Sequence, residues 1–178
     1  MRILFDRLRQ GPLETVTWIE SIGTSGNLIF SNPNRVSEND ISLAISKALE
    51  FEDIEQPTTV RTAQQLESTI RAFDRDLSKI GKKAVRENSN VEVLSDGVVK
   101  AGIGFMISKP ASPVEFEYPK ALTRAVSLVS TFERDVHFLW KRTDGAYGVP
   151  NRAIESWLGA KATSRAYSIV CKILCRMR

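Results

Sequence analysis

The sequence predicts an α+β fold that is mostly helical, within one overall domain of 178 residues. Two observations support this prediction. Apolar residues recur at steps of three and four over much of the chain, which is the spacing of one face of an α-helix. Between these stretches, short segments rich in Val, Ile and aromatic residues end at Gly, Pro, Asn or Asp, as strands do. The apolar content of 42% is enough for a sizeable core.

Charge divides the chain into an acidic N-terminal region and a basic remainder. Residues 1–56 contain five Lys or Arg and nine Asp or Glu, whereas residues 57–178 contain twenty and twelve. We predict that residues 1–56 form an acidic arm with a helix and that residues 57–178 form a helical core. A basic core favours a polyanionic partner, above all nucleic acid, but many proteins with this charge have no such partner.

Two helices are predicted in the first half of the chain. The segment before the first one, residues 14–23, fits a strand or a short helix. The first helix covers residues 38–50, where Ser37 and Asp40 form a start that resembles a capping box. The second runs from about Thr58 to Lys83, where apolar residues keep helical spacing for about six turns. Cations at its end match the negative end of a helix dipole or contact phosphates: Lys79, Lys82, Lys83 and Arg86.

The region after the second helix is predicted to be extended. A turn at residues 95–97 joins a strand at 91–94 to a strand at 98–107. Gly102 and Gly104 lie within the second strand, which indicates a bulge or a close backbone approach.

A strand–proline–helix pattern follows at residues 112–142. Val114, Phe116 and Tyr118 alternate on a short strand, and Pro119 suits a first helical position. The long helix predicted after it has an apolar stripe at Leu122, Val126, Val129, Phe132, Val136 and Leu139. A last helix is predicted from about Asn151 into the 170s, with close packing or a kink at Gly159.

One strand followed by two helices is the unit of a ribbon–helix–helix dimer, because a lone strand needs a second copy to complete its hydrogen bonds. The sequence therefore predicts a ribbon–helix–helix-like dimer with additional N-terminal helices. Glu115 and Glu117 would repel phosphates, so the strand with Lys100 and Lys109 has the better chemistry to meet duplex DNA; the sequence leaves open which strand enters the groove. Lys120 and Arg124 are expected to bind phosphate at the start of the long helix.

Most catalytic chemistry is not indicated by the sequence. The only histidine is His137, expected to be a partly buried helix residue, and the two cysteines lie four residues apart at Cys171 and Cys175. No phosphate loop, nucleophile elbow or zinc motif occurs. The acid pairs Asp74 with Asp76 and Glu115 with Glu117 are expected on solvent faces. We therefore expect no enzyme activity, no metal, no cofactor and no small-molecule ligand, in a cytoplasmic protein without a membrane span.

Residues 112–158, SPVEFEYPKALTRAVSLVSTFERDVHFLWKRTDGAYGVPNRAIESWL, resemble proteins of integrating conjugative elements and conjugative plasmids, the AcaB-like transcriptional activators. The shared pattern is a P-x-x-V-x-F-x-x-P strand, an L-x-x-F-D helix, an aromatic-to-glycine break and a closing basic helix. The chain departs from the pattern at Glu133, where Asp is usual. The resemblance implies a dimeric ribbon–helix–helix type DNA-binding regulator that activates transfer genes.

Two other functions remain open from the residues alone. The amphipathic helices would equally serve an oligomeric assembly protein of a mobile element or phage, without DNA contact. An enzyme whose site uses only Asp, Glu, Lys or Tyr is the third hypothesis.

Overall fold

The computed structural model describes residues 17–22, 26–32, 35–50, 58–87, 99–110, 115, 120–123, 125–143, 146–147 and 150–178. The chain has an α+β fold and divides into two compact units. The first unit comprises residues 1–63 and 173–178, and the second comprises residues 64–172.

The first unit contains a β-hairpin. Its strands are β1, Thr17–Ile22, and β2, Asn27–Ser31, which pair antiparallel. Gly26 precedes β2 with a φ of 71°, a left-handed conformation that glycine adopts without strain. The segment that fitted a strand or a short helix is therefore a strand.

Helix α1, Glu38–Glu50, packs by an apolar face in the first unit and confirms the first predicted helix. The Asp40 N–H donates to the Ser37 hydroxyl at 3.1 Å, and this hydroxyl donates to the Asp40 carboxylate at 2.7 Å. Ser37 is thus the N-cap that its position indicates. Ile41 and Ile45 are buried against residues of the same unit.

The second unit is an antiparallel sheet with helices on both faces. The sheet order is β4–β5–β6–β3–β8, and the two-residue strand β7 pairs with the end of β6. The elements are α2, Ala63–Glu87; β3, Val99–Met106; β4, Lys120–Ala121; β5, Val126–Phe132; β6, Asp135–Thr143; β7, Ala146–Tyr147; α3, Pro150–Leu158; β8, Ala162–Ala166; and α4, Tyr167–Met177. Helix α2 and strand β3 confirm the second predicted helix and the predicted strand at 98–107, each with shifted ends.

Alternation along the strands gives the sheet two buried faces. One face carries Val136 and Phe138, which pack with Ile154 of α3 in an apolar cluster. The opposite face carries His137, which contacts Thr69 and Phe73 of α2. Helices α2 and α3 therefore lie on opposite faces of the sheet.

The glycine at position 102 allows an aromatic layer to lie directly on the sheet. Gly102 pairs with Phe138 across β3 and β6. A Cβ atom at this position would overlap the rings of both Phe138 and Trp140. Strand β3 pairs without a register shift, and aromatic side chains, not backbone, approach Gly102, so the bulge or close backbone approach expected from the glycines is not what the structure has.

The long helix predicted at 119–142 is wrong, because strands β5 and β6 form a hairpin there. Val136, Phe138 and Trp140 alternate along β6, and such β-branched and aromatic residues favour a pleated surface. Glu133 and Arg134 form the two-residue turn, with Glu133 at a φ of 53°. Because each strand alternates and the turn is short, apolar residues of the two strands lie three or four positions apart in the sequence. This spacing is the same as that of the apolar face of a helix.

The ribbon–helix–helix unit is therefore also wrong. Its strand was predicted at 114–118, of which the structure describes only Glu115, an exposed residue outside any helix or strand. The first of its two helices is the β5–β6 hairpin. The strand predicted at 91–94 and the turn at 95–97 lie outside the described residues.

The predicted last helix is two helices separated by strand β8. Gly159 follows α3 with a φ of 68°, and its N–H donates to the Glu155 carbonyl at 2.8 Å. This left-handed glycine cap ends the helix. The chain then enters β8, which pairs antiparallel with β3 and leads directly into α4.

Candidate functional site

The structure divides the described members of the eight predicted DNA-contacting residues among several elements. Lys79 is on α2, Lys100 is on β3 and Lys109 follows β3, and all three are exposed. Lys109 forms an ion pair with Glu133 at 2.6 Å. The backbone of α2 includes Lys82, Lys83 and Arg86, and that of β4 includes Lys120, but their side chains and all of Arg124 lie outside the described part.

Strand β3 is unsuited to the DNA-facing role that Lys100 and Lys109 suggested. It lies between β6 and β8 in the sheet order, and residues 102–106 are buried. A ribbon that enters a groove must be accessible on one face. A two-stranded ribbon built on this strand is therefore not formed, whereas DNA contact by the exposed Lys100 and Lys109 stays a prediction.

Helix α2 carries cations at a regular spacing along its length. At 3.6 residues per turn, positions 71, 75, 79, 82 and 86 fall within about 80° of arc. We call these positions the α2 basic stripe: Arg71, Arg75, Lys79, Lys82 and Arg86. The sequence-based site residues include only the C-terminal part of the stripe and omit Arg71 and Arg75.

The described cations of the stripe differ in their partners. Arg71 forms an ion pair with Glu67 one turn earlier at 2.6 Å, and 76% of its side chain is exposed. Lys79 lies 3.7 Å from the Asp76 carboxylate, and 61% of its side chain is exposed. Arg75 is exposed and has no ion pair or hydrogen bond within the part of the chain that the structure describes. Arg75 is therefore the cation of this group that is most available to a ligand.

A pocket of about 370 Å³ opens beside the stripe, in the second unit. Helix α2 contributes Ala72, Arg75, Asp76 and Lys79 to its wall. Strands β5 and β6 and the exposed Glu115 supply the rest: Ser130, Thr131, Phe132, His137 and Glu115. The pocket has a volume in the range of small-molecule sites.

Below the pocket, four polar side chains connect α2 to the sheet. The Ser130 hydroxyl donates to the Asp76 carboxylate at 2.6 Å and lies 2.9 Å from Nδ1 of His137. On the other side of the ring, Nε2 lies 3.0 Å from the Thr69 hydroxyl. His137 has no exposed surface. We call Thr69, Asp76, Ser130 and His137 the buried polar network.

The positions of the protons in this network follow from the Asp76 carboxylate. Burial alone raises the pKa of Asp76, but its contacts with His137 and Ser130 and the nearby Lys79 ammonium outweigh burial and hold the pKa below its ordinary 3.8. Because ionised Asp76 accepts the Ser130 proton, Nδ1 of His137 must donate to the Ser130 oxygen. In the neutral ring, Nε2 then accepts from the Thr69 hydroxyl. Every polar atom that faces the ring is thus satisfied.

The combination of Ser, His and Asp does not have the geometry of a catalytic triad. In a triad the histidine lies between the serine and the carboxylate, with one ring nitrogen bonded to each. Here Ser130 lies between the other two, and its proton is already held by Asp76. Oδ2 of Asp76 is 3.8 Å from Nδ1 of His137, beyond hydrogen-bond distance. The arrangement links α2 to β5 and β6 and does not activate Ser130 as a nucleophile.

Aromatic contacts fix the orientation of the histidine ring. Phe73 stacks on His137 with ring centres 4.5 Å apart and planes 6° apart, and Tyr167 meets Phe73 edge-on. The Tyr167 hydroxyl donates to Asp74 at 2.6 Å, and burial with this hydrogen bond raises the pKa of Tyr167. These contacts connect the first turn of α4 to α2.

Two sequence-based expectations about these residues are wrong. Asp74 is exposed as expected, but Asp76 is buried beneath the pocket. His137 is a fully buried strand residue and not a partly buried helix residue. It lies in a continuous apolar run that includes Leu139 on its own face, and such a run is typical of a strand buried on both faces. This run is the signal that could have placed it inward.

Among the described residues, no group of three or more His, Cys, Asp or Glu side chains is arranged to hold a metal ion. Within the same part of the chain, no helix is both long enough and apolar enough to span a bilayer. Comparisons of the chain with protein-family models, with curated proteins and with solved structures give no match.

Proposed function

We propose that this protein binds duplex DNA through the α2 basic stripe and regulates transcription. The observation that carries this proposal is the alignment of cations along one face of a single long helix. Lys and Arg that neutralise phosphates release condensed counterions, and this release supplies much of the affinity of DNA-binding proteins. A charged face of this kind contacts phosphates without reading bases.

The packing of α2 keeps the described part of this face, from Arg71 to Lys79, towards solvent. Leu66, Ile70, Phe73 and Ile80 are buried, and they occupy the side of the helix away from the exposed Arg75. The helix has 25 residues, which correspond to about 37 Å at 1.5 Å per residue. A helix of this length can follow several phosphates of one strand, or lie along the major groove, which is wide enough to admit a helix.

The buried polar network supports this role because it anchors the middle of α2. Thr69 and Asp76 are two turns apart on α2, and both bond to groups on the sheet. A helix held at two points presents its outer cations in a fixed register, so less conformational entropy is lost when phosphates bind.

The finer parts of the proposal rest on the sequence pattern at residues 112–158. The likeness to AcaB-like activators supports an activator of conjugative-transfer genes that acts as a homodimer in the cytoplasm and has no enzyme activity. The ribbon–helix–helix architecture is not part of this proposal.

The test compares wild type with the double variant Arg75→Gln/Lys79→Gln by fluorescence anisotropy on labelled duplex DNA. Each phosphate contact contributes about 0.9 to the slope of log K against log salt, so the double variant should lose about 2 from this slope. We expect affinity at low salt to fall about tenfold or more.

The matched control is Arg152→Gln/Lys161→Gln, which removes the same charge at exposed positions on α3 and just before β8. Because α3 lies on the other face of the sheet, this control should keep wild-type affinity apart from a small loss of long-range attraction. Equal losses in both variants would show only an effect of net charge and would contradict the stripe as the DNA-binding surface. Light scattering gives the mass of the protein in solution. A dimer or larger assembly that does not bind duplex DNA at low salt would support the alternative function, an oligomeric assembly protein.

A further inference from the structure

The pocket next to the stripe has a composition that suits one class of ligand. Arg75 and Lys79 place two cations at its edge, Phe132 contributes a half-buried aromatic ring to its wall, and Thr131 and Glu115 add polar groups. We propose that this pocket binds a single nucleoside monophosphate unit, with its phosphate on the two cations and its base against Phe132. This inference rests on the proposed function, because the same stripe supplies the phosphate contacts.

The phosphate end of the pocket follows from the charges around it. Arg75 has no ion pair within the described residues, and its planar guanidinium can form two parallel hydrogen bonds to a phosphate. The ionised Asp76 carboxylate also lines the pocket and offsets part of this attraction, but it is mostly buried and accepts the Ser130 proton at 2.6 Å. Its weaker contact with Lys79, at 3.7 Å, holds that ammonium at the edge of the pocket.

The base end follows from Phe132 and its neighbours. An aromatic side chain stacks on any base, since every base has a π-face. The Thr131 hydroxyl can donate or accept, and a carboxylate such as that of Glu115 accepts from amino groups on base edges. A volume of about 370 Å³ accommodates one base with its sugar and phosphate but not a base pair within a duplex.

His137 and Ser130 have a supporting role in this site. His137 has no exposed surface, so it underlies the floor and cannot contact the ligand directly. Ser130 is buried, and its proton is held by Asp76. No covalent step on the ligand is part of the inference.

Two sources can supply the same nucleotide chemistry: a free mononucleotide and an unpaired nucleotide in a nucleic-acid strand. Titration calorimetry of the full chain would use AMP, GMP, CMP and dTMP, with adenosine and ribose 5-phosphate as ligands that lack one end. We expect at least one mononucleotide to bind about tenfold or more tightly than either partial ligand, because stacking and phosphate contacts each contribute. A short single-stranded oligonucleotide then competes for the pocket if strands are the source and does not compete if free nucleotides are.

Two variants locate the binding. Phe132→Leu keeps an apolar side chain but removes the ring, and Thr131→Val keeps the shape but removes the hydroxyl. Each variant should weaken mononucleotide binding, and Phe132→Leu should weaken it by about tenfold. Both variants should keep wild-type affinity for duplex DNA, because neither residue is on the α2 basic stripe. Circular dichroism and a urea unfolding curve for each variant establish that the sheet is intact.

The outcomes separate this inference from the proposed function. No mononucleotide binding at millimolar concentration, with duplex binding intact, overturns the pocket inference alone. Ribose 5-phosphate that binds as well as the mononucleotides, or affinity unchanged in both variants, also overturns it. Mononucleotide binding that depends on Phe132, in a chain that does not bind duplex DNA, would sustain the pocket and overturn the duplex proposal.

Discussion

Replacement of Ser130 by alanine tests the buried polar network most sharply. The substitution removes the proton that Asp76 accepts and the oxygen that accepts from Nδ1 of His137. It creates almost no cavity, since only one oxygen atom is lost. The change in unfolding free energy therefore reports the hydrogen bonds and not the packing.

The size of the loss in unfolding free energy depends on whether water can reach Asp76 or His137 once the Ser130 hydroxyl is removed. Nδ1 of His137 has no access to solvent, and an unsatisfied buried donor costs about 1–3 kcal/mol. Asp76 keeps 13% of its side chain exposed at the pocket, so a water molecule can replace part of its lost bond. A hydrogen bond to a charged group contributes about 1.5–3 kcal/mol, and we count roughly half of this energy as lost because water replaces the rest. The expected loss of stability is about 2–4 kcal/mol.

The assay is urea unfolding followed by far-ultraviolet circular dichroism and tryptophan fluorescence. The matched control is Ser127→Ala on the same strand, since Ser127 has no side-chain hydrogen bond within the described residues. This control should change stability by no more than about 0.5 kcal/mol. A double-mutant cycle with Thr69→Val should show coupling of about 0.5 kcal/mol or more, because both residues hold the same ring.

A Ser130→Ala variant as stable as the Ser127→Ala control would refute the reasoning. It would show that the hydrogen bonds of the network contribute nothing that water cannot replace.

Two further predictions follow from the same unit. The pKa of Asp76 is lower in the folded chain than its ordinary 3.8, so the unfolded state binds more protons in acid. The stabilisation from ionised Asp76 is therefore present above about pH 4 and is lost as the pH falls below this value. The free energy of unfolding of Asp76→Asn, measured from pH 6 to pH 2, should be lower than that of wild type near neutrality and should fall less steeply in acid. The same slope of stability against pH in both proteins would contradict the lowered pKa of Asp76. Gly102→Ala should cost about 1–3 kcal/mol in urea unfolding, because its Cβ overlaps the rings of Phe138 and Trp140. Gly104→Ala is its control, since the nearest atom to a Cβ there is the Ile154 methyl at 3.3 Å and its other neighbours are at ordinary contact distance. Equal costs would argue against the aromatic layer.

The helices in the first half of the chain could be predicted because their local signals agree. Helix α1 has a capping serine and a regular apolar face, and α2 keeps its period over many turns. Strand β3 could be predicted from its β-branched and aromatic residues and from the turn predicted just before it. In each case propensity, pattern and ends indicate the same structure.

The β5–β6 hairpin could not be predicted because its turn lacks the usual residues. Glu133 adopts a left-handed conformation that favours glycine or asparagine, and no Asn-Gly or Asp-Gly pair marks the position. Its tertiary context supports this turn. The Met106 N–H donates to the Arg134 carbonyl at 2.9 Å, and Lys109 forms an ion pair with Glu133. Such contacts come from distant sequence and leave no local signal.

The candidate site was only partly predictable for the same reason. The cations at the end of α2 were chosen from the sequence, but Arg75 became a candidate only when its exposure and its pocket were known. The network members Thr69 and His137 are 68 residues apart in the chain, so only the fold brings them together.

The slope of log K against log salt for duplex DNA binding tests the central proposal most directly. We expect log K to fall steeply with log salt in wild type. The slope should be smaller in magnitude by about 2 in Arg75→Gln/Lys79→Gln and unchanged in Arg152→Gln/Lys161→Gln. The same slope for wild type and the stripe variant would contradict the proposal that α2 binds the DNA backbone.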